Sequence, residues 1–317
     1  MKLVYSDRYQ VDIGAHVFPT AKYRMVRDAV LSRGLAAAFD LLEPVEASWE
    51  TLALVHDVEY LDKTRRGTFR TSELAQLELP WTAAAAEGFR IMIGGTVLAA
   101  RLAVAEGVRI GRQHPAVAPH TSAPLAAAAN LSGGFHHAFP SHGEGFCLYN
   151  DIAIAIRALQ HDGTIVRAAV VDCDVHQGNG TAFIFDGDAN VFTFSMHQEN
   201  NYPFIKPHSS LDMGLPDGAG DREYLRVLEH ALPTVMASRP ELLVYVAGAD
   251  PFIEDQLGGL NVTAEGLAQR DRFVFEAARA ARVPVVTVLA GGYARRVEDT
   301  VAIHAATIAQ AVGLAAG

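Results

Sequence analysis

Cysteine is nearly absent. Two in 317 residues, Cys147 and Cys173, exclude a disulfide framework, and a reducing cytoplasm is the simplest setting. Positive charge is also short: 26 Lys and Arg stand against 36 Asp and Glu, a net charge of −10. A chain this acidic lacks the broad basic face that a phosphate backbone requires, so nucleic acid is set aside as a partner. The same balance is compatible with a cationic substrate. The opening "MKLVYSDRYQ" has no apolar core of a secretory signal. Long hydrophobic runs are missing too. The longest, "IMIGGTVLAARLAVAEG" from Ile91, is broken by Arg101 and is read as too short to span a bilayer. It is expected to be a buried helix, with Gly94 and Gly95 permitting close packing, and no membrane partner is expected.

What is present is ample apolar material. Half the residues are hydrophobic and 20% are charged, which supports a large core and argues against disorder. No repeat or linker divides the chain, so 1–317 reads as one domain. Five short runs are β-branched and nearly continuous: 2–5, 168–173, 190–195, 241–247 and 284–289. Such runs suit strands covered on both faces. Helical patterns lie between them, starting at Asn150, Asp221, Thr263 and Val297, with capping residues at Asn150 and Thr263. Strand and helix in alternation imply an α/β fold, a parallel sheet with helices on both faces. Segment 108–129, with three prolines and a run of small residues, reads as an irregular insertion.

The strongest local signal follows the strand at 168. "VVDCDVHQGNG" sets Asp172, Asp174 and His176 at every second position. Ligands of open α/β sheets collect at the carboxyl ends of strands. Carboxylate oxygen with imidazole nitrogen suits a divalent cation such as zinc or iron. A hydrogen-bonded turn with one capping Asp is the bland alternative. Asp250 ends the strand at 241 and supplies a candidate third ligand; Asp255 in the same loop reads as structural. The strand at 284 delivers Tyr293 after Gly291 and Gly292. "GGFHH" ends in His136 and His137. Strand ends at 131–137, 172–176, 250 and 290–293 on one rim would assemble a Lewis acid, a base and an oxyanion donor.

In order along the chain, "LSGGFHHAF", "GFCLYND", "VVDCDVHQGNGT", "FSMH", "GADPFIEDQLGGLNVTAEGL" and "LAGGYA" resemble the zinc-dependent histone deacetylase superfamily, in its bacterial and class IV-like branch. The resemblance implies an arginase-like fold around an eight-stranded parallel sheet. It implies zinc on Asp174, His176 and Asp250, with iron as the alternative in the cell. It implies His136 and His137 as tandem catalytic histidines, with His137 shuttling the proton. Tyr293 would polarise the scissile carbonyl. Asp172 would bond the first histidine. A structural potassium ion would sit on Asp172, Ser195 and the backbone of Asp174, His176 and Met196. Gly145, Phe146, Tyr202, Gly291 and Gly292 would wall the substrate tunnel. Asn179 departs from the commoner carboxylate behind the second histidine, which predicts a less basic His137. Gln177 replaces a histidine common elsewhere.

The implied substrate is an acyl-lysine peptide or protein, with an acyl-polyamine as the alternative. Acyl length and oligomeric state stay open. A ureohydrolase reading is disfavoured because its strand-end order is Asp-x-His-x-Asp. A non-catalytic acyl-lysine reader is disfavoured because Tyr293 and every ligand are retained. His114, His120, His142, His197 and His208 read as surface or supporting groups, with His142 and Glu144 near the tunnel mouth.

Overall fold

A computed structural model describes residues 1–113 and 123–316. Its strands are β1 Lys2–Val4, β2 Leu41–Leu42, β3 Ala127–Asn130, β4 Ala168–Asp172, β5 Val191–Gln198, β6 Leu211–Leu215, β7 Leu242–Val246 and β8 Val285–Val288. They form an eight-stranded sheet in the order β2-β1-β3-β8-β7-β4-β5-β6, every neighbouring pair parallel.

Side chains alternate between two apolar layers, as a pleated strand covered on both sides requires. On β7, Leu242, Val244 and Val246 enter a core shared with Ala99, Ala103, Ile152 and Ile156, from the helices Ala83–Gln113 and Asp151–His161. Leu243 and Tyr245 enter the opposite core, with Tyr224, Leu228, Leu267 and Phe275 of the helices Asp221–Ala237 and Ala264–Ala281. Each fully buried Val or Leu contributes about 1.5–3 kcal/mol. The four middle strands, β3, β8, β7 and β4, are buried throughout.

The expected capping positions hold. Asn150 accepts from Ala153 N at 2.9 Å and Thr263 accepts from Gly266 N at 3.0 Å. Three strands escape the sequence patterns: β2 and β6, which are the sheet edges, and β3. The small residues of β3 lie inside what reads as the irregular segment 108–129. That segment is narrower than expected. Residues 108–113 finish a helix and 127–129 belong to β3, while 114–122 lie outside the described residues, together with His114 and His120. Alanine is a weak strand former, but here it lets a helix lie close on the sheet.

That helix, Ala83–Gln113, is also longer than the apolar run within it. At 31 residues, with a mean hydropathy of 1.6 over its best window, it meets the length and composition of a membrane span. Its inner face packs on β3, β8 and the helix Asp151–His161. The glycine pair is where packing is tightest. A Cβ on Gly94 would stand 1.9 Å from Val45 O, and one on Gly95 would stand 2.0 Å from the Tyr9 hydroxyl.

Candidate active site

The four adjacent middle strands all point their carboxyl ends at one rim. β3 leads into the histidine pair, β8 into Gly291–Tyr293, β7 into Asp250, and β4 into Asp174 and His176.

After β3 the chain turns through Gly133 and Gly134, at φ +81° and +86°. The buried Asp151 carboxylate gathers this turn. It accepts from Gly134 N at 3.0 Å, Phe135 N at 2.7 Å and Thr96 Oγ1 at 2.7 Å. His136 N then closes on Gly134 O at 2.9 Å. The backbone is therefore folded rather than extended, so the two neighbouring rings sit together, with centroids 4.1 Å apart. Both line one pocket with Asp174, His176 and Tyr293.

The rings have different partners. His136 Nδ1 lies 2.7 Å from Asp172 Oδ2. His137 Nδ1 lies 2.6 Å from Asn179 Oδ1. Burial disfavours charge on both. For His136 the carboxylates of Asp172 and Asp174 outweigh it and lift the imidazole to about 9. For His137 burial is reinforced by His136 and His176, and the ring is held well below the ordinary imidazole range. Geometry and charge thus favour the protonated form of the first histidine and the neutral form of the second.

Past β4 the chain leaves the strand at Asp172. Asp172 Oδ1 accepts from Asp174 N at 3.1 Å, which turns the backbone. Asp174, His176 and Asp250 then come together, buried, with one potential ligand atom from each lying within 4.8 Å of the others. Asp174 Oδ2 accepts from Gly291 N at 2.9 Å and Asp250 Oδ1 from Val175 N at 2.9 Å. Asp250 Oδ2 is buried and accepts no well-formed hydrogen bond; His176 Nδ1 is 3.4 Å away. Burial and then Asp174 push the Asp250 carboxyl up to about 7. An unsatisfied carboxylate oxygen in a dry O,O,N cluster is the donor set a divalent cation takes, so the residues fit such an ion. Glycine at 291 is required: a Cβ there would stand 1.9 Å from Asp250 Oδ2.

Tyr293 lines the same pocket, and its ring meets Phe146 edge-on at 5.9 Å. Burial, then Asp174 and Asp250, push the phenol well above its ordinary range, so it remains a donor. Asp255 shapes this loop, accepting from Tyr293 N at 2.6 Å and Leu257 N at 2.8 Å. Asp172 and Ser195 are register partners on β4 and β5, beside buried Met196, and Ser195 Oγ lies 3.0 Å from His197 Nδ1. Gln177 faces away from the histidine pair, donating to Pro207 O at 2.6 Å. Gly292 turns at φ +146° after Gly291.

An outer chamber of about 190 Å³ opens above, lined by Glu78, Asn201, Tyr202 and Leu257. It shares His137, Gly145, Phe146, His176 and Tyr293 with an inner pocket of about 20 Å³, so these five form the neck between them. Gly145 at φ +50° lets the wall approach His137, where a Cβ would stand 2.8 Å from the ring. Tyr202 stands across from it, its ring 5.0 Å from His137.

Three residues here escape the sequence patterns. Asp151 gathers the glycine turn, Glu78 lines the outer chamber, and Lys22, buried, donates to Ala290 O at 2.8 Å below Tyr293. What each meets is distant in sequence, so no local spacing marks them. Glu144, expected in a polar loop near the mouth, accepts from the hydroxyl of Tyr202, which lines the outer chamber.

A doubly covered parallel sheet with a cation-ready cluster and paired imidazoles at its carboxyl rim is the arrangement of a deacetylase-type hydrolase. The histone deacetylase domain family matches residues 16–308, and the chain belongs to that family. Histone deacetylase 2 of Arabidopsis thaliana is 31% identical over 95% of this chain and 78% of its own length. An uncharacterized protein of Picosynechococcus is 39% identical over 95% of each chain. A solved structure of an HDAC homolog complexed with SAHA superposes with a TM-score of 0.77 at 23% identity, over 98% of this chain and 84% of that one, a likeness of fold.

Proposed function

We propose that this protein hydrolyses the amide of an acetylated lysine-like amine, acting as one cytoplasmic domain. The observation that carries the reading is the convergence of Asp174, His176 and Asp250 beside His137 and Tyr293. Those three residues would hold a divalent cation, zinc with iron as the alternative, which would supply Lewis acidity toward the carbonyl and toward a water.

The chain's own residues do the rest. Tyr293 donates its phenolic proton as a hydrogen bond to the carbonyl oxygen, where negative charge grows. His137 takes the proton of the attacking water at Nε2. It later gives a proton to the departing nitrogen, without which an amine leaves poorly. His136, cationic against Asp172, stabilises the negative charge developed nearby. Water adds to the carbonyl carbon, the C–N bond breaks, and acid and amine are the products. Phe146 and Tyr202 wall the alkyl stem. Potassium on Asp172, Ser195 and the carbonyls of Asp174, His176 and Met196 belongs to the proposal as a structural ion, supported by the pairing of Asp172 with Ser195.

An acylated polyamine is the second reading. It is favoured by Glu78, a carboxylate on the wall of the outer chamber, which suits a cationic chain better than a neutral peptide backbone. The test is a screen of acyl-lysine peptides against acyl-polyamines, from acetyl to myristoyl, with and without chelator. Chelator-sensitive release from either class supports the hydrolase and chooses its substrate. Binding without release from any would overturn it in favour of a reader.

A further inference from the structure

The proposed reaction leaves one half-buried carboxylate without a task. Glu144 lies in the loop after the tandem histidines, pinned by paired backbone hydrogen bonds with Cys147 at 3.1 and 2.9 Å. Its Oε1 accepts from Asn179 Nδ2 and from the Tyr202 hydroxyl, each at 2.7 Å. Its Oε2 accepts from Gln76 Nε2 at 3.0 Å, and His142 Nε2 lies 3.5 Å from it. Asn179 therefore bridges two groups: Glu144 on its nitrogen and His137 on its oxygen.

That bridge has a chemical consequence. A primary amide is an acceptor at one end and a donor at the other, and a half-turn exchanges them. Either end can satisfy a neutral imidazole, but each selects a different tautomer. Asn179 Oδ1 facing His137 Nδ1 requires Nδ1–H and leaves Nε2 as an acceptor. The reversed amide requires a bare Nδ1 and puts the proton on Nε2, where the ring cannot take another. An aspartate in place of Asn179 has two acceptor oxygens and no such ambiguity. Here something else must choose. A carboxylate accepts and cannot donate, so it receives only the NH₂ end. Reversal would set the amide oxygen against Glu144 Oε1 at a site where Asn179 is 2% exposed and His137 5%, leaving the buried amide oxygen without a donor and Oε1 with only the Tyr202 hydroxyl.

We propose that Glu144 is a positioning residue. By fixing the Asn179 amide, it holds His137 in the Nδ1–H tautomer with Nε2 free. It also ties that base to the tunnel wall, because the Tyr202 hydroxyl shares Oε1 while the Tyr202 ring stands edge-on to His137. Its kinetic importance rests on the reading of His137 as the proton acceptor; the tautomer itself does not.

The test has two arms. In the first, two-bond ¹H–¹⁵N correlation on histidine-labelled protein reads the His137 tautomer directly. The wild type is expected to show Nδ1–H, Glu144→Asp to keep it, and Glu144→Gln, which can present either amide end, to lose it in part or wholly. A wild-type His137 protonated at Nε2 overturns the proposal even if no variant folds. So does a folded Glu144→Gln protein with an unchanged tautomer. In the second arm, Glu144→Gln is expected to lower kcat about ten-fold or more with KM held within about two-fold. Built on Asn179→Asp, the same change should not lower kcat, because no amide is left to orient and the change only relieves a contact between two carboxylates. An equal loss in both backgrounds would make Glu144 a structural residue and end the proposal. An inactive wild type with an Nδ1–H His137 supports the lock and overturns the hydrolase reading instead.

Discussion

Asn179 Oδ1 stands 2.6 Å from His137 Nδ1. One residue earlier, His136 has a carboxylate, Asp172, at 2.7 Å. The two imidazoles share a pocket and differ in what stands behind them. In the proposed reaction, that difference divides the work between a fixed cation and a proton carrier.

Replacing Asn179 by Asp puts a negative charge where His137 now has only the neutral acceptor of an amide, too weak to offset burial and the neighbouring imidazoles. The sign is definite: a raised imidazole pKa keeps the base protonated to higher pH. The acid limb of the kcat/KM profile should therefore move to higher pH, by about one unit or more. An unmoved limb would show that the His137 charge does not shape that profile.

Tyr293→Phe removes the phenolic donor while the ring contact with Phe146 stays available. The loss expected in kcat is about 10²–10³-fold, with cation content unchanged. Full turnover at saturating substrate would remove Tyr293 from the mechanism.

His56 offers a test away from the reacting groups. Its Nε2 accepts from Asn150 N at 3.0 Å and its Nδ1 lies 3.0 Å from Phe139 O. Burial depresses the imidazole from 6.5 to about 4, so the unfolded chain binds the proton first as pH falls. The stability contribution is complete above pH 6.5 and is lost as pH drops toward about 4. The change amounts to about 3 kcal/mol, at about 1.4 kcal/mol per pH unit. Denaturant unfolding of wild type and His56→Gln across that window should show the difference narrowing by this amount. Parallel curves would contradict it.

Acyl length follows from room. The pocket below the neck holds about 20 Å³, close to the space of one water-sized probe. Acetyl is therefore expected to leave faster than myristoyl by about ten-fold or more, since forcing open a packed wall costs at least about 1–3 kcal/mol. A faster myristoyl reaction would mean that Phe18, Tyr23 or Phe135 yields.

Much of this arrangement was legible because its carriers lie close together in sequence. Asp172, Asp174 and His176 fall within five residues at the end of an apolar run, and Gly291 precedes Tyr293 by two. The strands β4, β7 and β8 are apolar enough to read directly. β3 was hidden because its alanines carry little strand preference and draw their burial from the helix Ala83–Gln113. Asp151 was hidden for another reason, and Glu144 could be placed near the mouth without its partners. Their contacts, with Gly134 and Phe135 and with Asn179 and Tyr202, come near only in the tertiary fold.

The most direct measurement is amine release from an acetyl-lysine peptide by protein stripped with chelator and then titrated with zinc. Turnover should be absent at the start, rise in proportion to added zinc and level off at about one equivalent per chain, as one three-ligand site requires. Asp250→Asn should neither hold the ion tightly nor turn over. Undiminished release by stripped protein would contradict the account. So would a wild type that binds zinc through Asp174, His176 and Asp250 yet leaves every acylated amine intact.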